Sequence, residues 1–390
     1  MKKILLFAAA ALTMTVGCQK IQELINPDKQ QPVDDATPVE ITFNTNVAAN
    51  LQTKGSGAVE DFDGNQKLFI YGLNVTSGTK EIANQEAKAT VAASENGETS
   101  GALTWADPAF AQFYNGTTDV YEFYGYHVDD ADVTTEFSET NYVSVITIDG
   151  TQDIMLAKAD PATDVQKAKD AGVFKGEASW NDGYAYSAYA ARRGVQPSLT
   201  FKHQLVRFTF QIISGTNYET AGDPEKNLYI KGLTMSARNS AQLCVAGKNL
   251  GLTSIQSELA ELPLRSLVDG QLTDLQVYEV PSADAEIEEG SNVIGESLMV
   301  IPNDYVAGGD AYPMSLVMEQ AGKTITYPVD LKFSSVTGAP SGQTQFTAGY
   351  SYRVTVKVYG LEQVELSAEL EPWLPGGDIE INTDDAPEIF

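Results

Sequence analysis

Cysteine and histidine are nearly absent: the chain of 390 residues holds two of each. That is too few thiols and imidazoles for a Cys/His metal site or a disulfide framework. Positive charge is also scarce, with 25 Lys and Arg against 53 Asp and Glu and a formal charge of −28. So acidic a surface repels phosphate backbones and anionic lipid, which excludes nucleic acid as a partner. Catalytic signatures are missing too: there is no G-x-S-x-G, H-E-x-x-H, P-loop or G-x-G-x-x-G. On that reading the protein is not an enzyme, and no catalytic residue, metal or cofactor is assigned. The acidic turns at Asp61, Asp63 and Asn65 and at Asp129, Asp130 and Asp132 lack the spacing of a calcium loop.

What is present is an ordinary globular composition, 43% hydrophobic and 20% charged. At about 100–200 residues per domain, the length predicts two domains. Lys2 and Lys3 precede a short apolar run from Ile4 to Val16 that ends at Gly17-Cys18. Charge followed by a hydrophobic run too short to span a bilayer is the order of an export signal, here residues 1–17. The segment looks like a bacterial lipoprotein signal, with Cys18 placed to carry the lipid and to become the first residue after cleavage. The expected location is the cell surface, anchored to the outer membrane by acyl chains. Residues 18–38 are polar, contain three prolines and read as a tether. Cys244, the other thiol, sits in AQLCVAG and reads as a small buried hydrophobe.

Beyond residue 38 the pattern has period two. Tyr350, Tyr352, Val354, Val356 and Val358 fall on one face of a run whose other face carries Ser351, Arg353, Thr355 and Lys357. Val364, Leu366, Ala368 and Leu370 alternate with Glu365, Ser367, Glu369 and Glu371. Strict alternation predicts strands with one buried and one wet face. Weaker versions occur at 40–47, 67–75, 119–128, 141–148, 227–235, 297–302 and 324–333, separated by turns rich in Gly, Asn and Asp. Helical periodicity is limited to 254–262 and 164–172. The expected fold class is all-β, with β-sandwich architecture.

In SLTFKHQLVRFTFQII (198–213), Leu199, Phe201, His203 and Leu205 share one face, and then Val206, Phe208, Phe210 and Ile212 take over. This slip predicts a bulge or bend near Leu205–Val206. The polar stretch at 214–227 after it is the expected boundary, giving an N-terminal domain at 39–213 and a C-terminal domain at 214–390. His203 and His127 read as packed core histidines rather than bases. The segment WNDGYAYSAYAARR (180–193) supports a second reading of function. Trp180, Tyr184 and Tyr186 could stack on sugar rings, which would make the protein a non-catalytic surface glycan binder. Tyr184 and Tyr186 are also spaced to share one strand face.

The order of these pieces resembles the fimbrillin family of Bacteroidetes, lipoprotein-derived subunits of type V pili. Four places carry the resemblance. EITFNTNVAANLQTKG looks like the family's first strand and processing loop. DVYEFYGYHV and QDIMLAKAD resemble the aromatic strand and its successor, and SLTFKHQLVRFTFQI resembles the L-x-F-x-H strand. FTAGYSYRVTVKVYGLEQVELSAELEPW looks like the closing hairpin and final strand. The resemblance implies two transthyretin-like Greek-key β-sandwich domains in tandem. It also implies polymerisation by protease-triggered donor-strand exchange in support of cell adhesion. The matching cleavage position is Lys54, where well-studied members carry Arg. The strand that leaves is Glu40 to Val47, with Ile41, Phe43 and Val47 pointing inward. Partners implied are the processing protease and other fimbrial subunits, with a donor strand available from the apolar residues spaced along the tail after Trp373.

Overall fold

The computed structural model describes residues 37–46, 67–93, 99–129, 143–176, 180–215, 226–281, 292–303, 311–361 and 363–371. The first half contributes β1 (Phe43–Asn46), β2 (Leu68–Asn74), β3 (Thr79–Ala93), β4 (Thr99–Trp105), β5 (Tyr121–Val128), β6 (Val143–Thr147) and β7 (Ile154–Lys158). Two helices follow, α1 (Pro161–Asp170) and α2 (Ala188–Ala191), and then the short strands β8 (Ser198–Thr200) and β9 (Lys202–His203). The second half opens with β10 (Val206–Ser214), β11 (Leu228–Ala237), β12 (Ser240–Cys244), β13 (Gly251–Thr253) and β14 (Ala260–Pro263). It continues through β15 (Arg265–Val268), β16 (Gln271–Asp274), β17 (Tyr278–Glu279), β18 (Val293–Val300) and β19 (Ala311–Gln320). It ends with β20 (Lys323–Lys332), β21 (Val336–Thr337), β22 (Ser351–Gly360) and β23 (Gln363–Glu371). The chain is all-β, as its alternation predicts.

The first sheet has eight strands in the order β8-β1-β4-β3-β2-β5-β7-β9. Its two end strands are consecutive in the chain, separated by the buried Phe201. Residues 198–200 run parallel to β1, and residues 202–203 run antiparallel to β7. One short segment therefore closes the sheet on itself, which removes most of its exposed edge. Phe201 passes close over β5: a Cβ built on Gly125 would lie 2.8 Å from the Phe201 ring and 3.2 Å from Leu199. A side chain at position 125 would force the Phe201 ring to shift. Inside the curl, Ile41, Phe43, Leu68, Ile70, Phe123, Ala157 and Phe201 form one core.

In the second half, sheets β18-β10-β22-β23-β21 and β14-β11-β19-β20 face each other. The core between them includes Phe208, Phe210, Leu233, Met235, Leu316, Tyr352, Val354 and Val356. Here the sequence pattern maps onto burial from Tyr352 to Val358, although Ser351, expected on the wet face, is buried and Tyr350 is only half-buried. Tyr352, Val354, Val356 and Val358 are fully buried while Arg353, Thr355 and Lys357 lie on the wetter face.

The phase slip at Leu205–Val206 is a change of sheet rather than a bulge within one ladder. β9 ends the first sheet, and β10 pairs with β18 and β22 in the second half. Both apolar sets are buried, each in its own sheet. Strand β6 also crosses the midpoint of the chain by pairing with β12. A third core joins Tyr71, Tyr124 and Tyr126 of the first sheet to Leu243, Met299 and Ile301 of the second half. The halves thus share strands and apolar surface.

Helix α1 starts earlier than its periodicity suggests because Asp160 caps it, accepting from the Ala162 amide at 3.2 Å, and Pro161 fits its first turn. The helix expected at 254–262 is not formed. Residues 260–263 instead pair with β11, where Leu262 is buried opposite Met235, while Leu259 is 55% exposed. Ladder pairing overrides helical spacing at that point. Among the described residues no helix is long and apolar enough to cross a membrane.

Candidate functional site

The segment around β1 is held on both sides. Strand β1 lies antiparallel to β4, with Phe43 opposite Leu103 and Asn46 opposite Ser100. On its other side it runs parallel to β8, with Asn44 opposite Ser198 and Asn46 opposite Thr200. Just before it, the Ile41 amide donates to Gln112 O at 2.8 Å, and the Tyr114 amide donates to Val39 O at 3.0 Å. The alternation in EITFN sends Ile41 and Phe43 inward, 0% and 4% exposed, while Thr42 points out. Phe43 meets Phe123 edge-on at 5.0 Å between ring centroids and Trp105 at 5.7 Å. Two such side chains contribute about 1.5–3 kcal/mol each on burial.

Side chains from the stretch after α2 clasp this segment. Arg192 Nη2 donates to Thr37 O, and Thr42 Oγ1 donates to Gln196 Oε1 at 3.2 Å. The clasp is fixed to the core through Asp164 on α1, whose carboxylate accepts from the Ser198 amide at 2.9 Å and from the Tyr186 hydroxyl. Burial pushes the Asp164 carboxyl up, against the opposing pull of those hydrogen bonds. Burial likewise pushes Tyr114 up, and its hydroxyl has no partner among the described residues.

Ile41 and Phe43 lie where sequence places them, facing the core. Cys18, Lys54 and Val47 lie outside the described residues. So do the turn at 61–65, residues 130–142 and the tail beyond 371. His203 is a packed histidine, its Nδ1 2.9 Å from the Asp153 carboxylate, and both side chains are buried. His127 is also buried, with Nδ1 2.9 Å from Lys67 O. Cys244 is buried, its thiol donating to Ala246 O at 3.2 Å.

The aromatic segment is arranged differently from the expected platform. Tyr186 is 2% exposed and bonded to Asp164, so it belongs to the core and offers no face to a sugar. Tyr184 and Tyr186 share no strand: Tyr184 ends a 3-10 turn, Asp182–Tyr184, stabilised by the Asn181 side chain accepting from the Gly183 amide. Trp180 and Tyr184 are half-buried. Trp180 packs on Phe174 and Tyr189, and Tyr184 on Tyr189, whose ring is also covered by Arg193 at 3.7 Å. These rings mostly spend their faces on one another. Arg192, Gln196, Asp164 and Asp153 are the contributors that period-two reading misses. Each acts through a partner far away in the chain, and a polar residue in a loop carries no periodic signal.

No curated protein matches the chain. Among solved structures, a candidate cell adhesion protein from Bacteroides uniformis is 15% identical. The alignment covers 86% of this chain and 99% of that one, with a TM-score of 0.49. A candidate cell adhesion protein from Bacteroides ovatus is 13% identical, covering 87% and 98%, with a TM-score of 0.41. A candidate polysaccharide-binding protein from Bacteroides thetaiotaomicron is 10% identical, covering 84% and 96%, with a TM-score of 0.33. Residues 53–373 match the model of the fimbrillin-like family. With most of its length so matched, and with the ordered motifs from the first strand to the closing hairpin, the chain belongs to the fimbrillin-like family.

Proposed function

We propose that the protein is a fimbrial subunit: a surface lipoprotein that polymerises by strand exchange after proteolysis and supports cell adhesion. Cys18 carries the lipid to the outer membrane, a protease cuts after Lys54, and the segment containing β1 then leaves. The halves 39–213 and 214–390 act as successive β-sandwich units, with β10 contributed across the division. The observation that supports this reading best is the position of β1. It fills a slot between β4 and β8, buries Ile41 and Phe43, and precedes Lys54 by only a few residues in the sequence.

An intact chain keeps β1 in its slot because the linking loop holds it at high effective concentration. Cutting the loop removes that advantage, and a fragment diluted into solvent does not return. The vacated slot then offers two unpaired strand edges and two apolar pockets, which an extended strand from another subunit satisfies. No cofactor takes part.

The test is the N-terminus of the protein recovered from native cells. Gly55 as first residue, together with heat-resistant ladders on denaturing gels, is the expected result. An acylated Cys18 as the only N-terminus, with no ladders, would overturn the reading.

A further inference from the structure

The two histidines of the chain stand in one row of the first sheet. His127 on β5 faces Met155 on β7, and Met155 faces His203 on β9. Residues paired across neighbouring strands put their side chains on the same side of a sheet. All three are buried, at 4%, 2% and 5% exposed, and Met155 belongs to the core inside the curl. In the row before, Gly125 faces Ala157, and the Phe201 ring reaches across to 2.8 Å from where a Gly125 Cβ would stand. Strands lie about 4.8 Å apart, so that one ring crosses a gap of roughly 10 Å between the 201–203 segment and β5. Two imidazoles flanking Met155 share the same gap.

Each imidazole is held at Nδ1. His127 Nδ1 lies 2.9 Å from Lys67 O, and a carbonyl only accepts, so Nδ1 carries the proton and Nε2 of the neutral ring presents a lone pair. That Nε2 is buried and has no partner among the described residues. Lys67 immediately precedes β2, which flanks β5 on the side away from β7, so the opposite corner of the ring is turned toward Met155. His203 Nδ1 lies 2.9 Å from the carboxylate of Asp153, itself fully buried. A carbonyl or a carboxylate on the second nitrogen is how metal-bound histidines are oriented.

We propose that His127, Met155 and His203 bind a soft monovalent metal ion, and that Cu(I) is the ion whose chemistry fits. Two histidines are too few for a site of thiolate and imidazole alone, and no three His, Cys, Asp or Glu side chains are grouped as metal ligands among the described residues. A thioether supplies the missing ligand, and thioether selects Cu(I) over the harder dications. Asp153 brings one negative charge to the buried row, which one monovalent cation balances. The row lies at an end of the sheet, with β5 ending at Val128 and β9 at His203, so an entering ion need not cross the core. An ion held there is independent of strand exchange.

The test uses the uncut chain from residue 18, without an affinity tag, carrying Cys18→Ser and Cys244→Ala so that no thiol competes. It is titrated anaerobically with Cu(I) against a chromophoric Cu(I) chelator. One Cu(I) per chain is expected to resist the chelator, and X-ray absorption should show one sulfur and two nitrogen neighbours. Asp153→Asn, one bond removed from the ion, should weaken retention about 10- to 100-fold. Met155→Leu keeps the packing volume, and His127→Gln keeps a donor for Lys67 O; each should weaken retention further while circular dichroism shows the fold intact. Where a variant does not fold, the absorption spectrum of the parent chain decides the ligands. No chelator-resistant copper, a copper environment without sulfur, or full retention by folded Met155→Leu or His127→Gln would overturn the site. Zn(II) held as firmly through the same three residues would overturn its assignment to a soft monovalent ion.

Discussion

The Ser198 amide donates to the buried Asp164 carboxylate at 2.9 Å, tying the strand that flanks β1 to helix α1. Asp164→Ala would leave that amide and the Tyr186 hydroxyl buried without partners, at about 1–3 kcal/mol each. Urea unfolding followed by tryptophan fluorescence should show a fall of about 2–6 kcal/mol. A loss below about 1 kcal/mol would mean the pairing is dispensable.

The same carboxyl carries a pH dependence. Its folded pKa is raised above the unfolded value, chiefly by desolvation. The folded state therefore holds the proton more tightly, and the Asp164 contribution is full below the unfolded carboxylate range and lost as pH rises through the folded pKa. Asp164→Asn should flatten that decline. Stability curves for the two proteins that run parallel across this range would contradict the assignment.

Arg192 and Gln196 act on departure of the first strand. Each contributes a hydrogen bond worth about 0.5–1.5 kcal/mol, so Arg192→Ala and Gln196→Ala should each release the fragment about 2- to 10-fold faster after cutting. Mass spectrometry of the fragment in the supernatant over time gives the rate. Unchanged release in the double variant would remove the clasp from the mechanism.

Phe43→Ala empties a pocket bounded by Phe123 and Trp105 and should cost about 3–5 kcal/mol in the uncut chain. In a cut chain that has lost its first strand, the same substitution has nothing left to alter. Equal destabilisation of both forms, measured by urea titration, would mean that the strand never leaves.

Gly125→Ala sets a methyl 2.8 Å from the Phe201 ring, where the sheet closes. About 1–3 kcal/mol of destabilisation is expected. Amide exchange should quicken at Lys202 and His203 before it does in β22. Uniform acceleration throughout the chain would show that closure is not local.

The sequence makes some of this architecture plain and conceals the rest. Strands β22 and β23 are legible because one face is buried and the other wet. β11 and β20 are legible for the same reason, less cleanly, whereas β5 is buried on both faces, with Tyr121 and Phe123 in one core and Tyr124 and Tyr126 in another. The slip at Leu205–Val206 marks a real discontinuity, but local pattern cannot distinguish a bulge from a crossing between sheets. Strand β3 is concealed because Lys80, Asn84, Gln85 and Glu86 dilute its alternation, although Ile82 and Ala87 are buried. At the candidate site, Ile41 and Phe43 are readable from period two alone. The Arg192 and Gln196 contacts are not: they span 155 and 154 positions and depend on the closed sheet bringing the two ends of the first half together.

The seating of β1 between an antiparallel and a parallel neighbour has a mechanical consequence. A strand hydrogen-bonded along both edges, when tugged along its own axis, loads all its bonds simultaneously in shear. A hairpin peeled from its end loses them one after another. A subunit joined to the next through that slot would therefore resist axial tension at the junction, as a fibre exposed to flow requires, and yield more readily to a sideways peel.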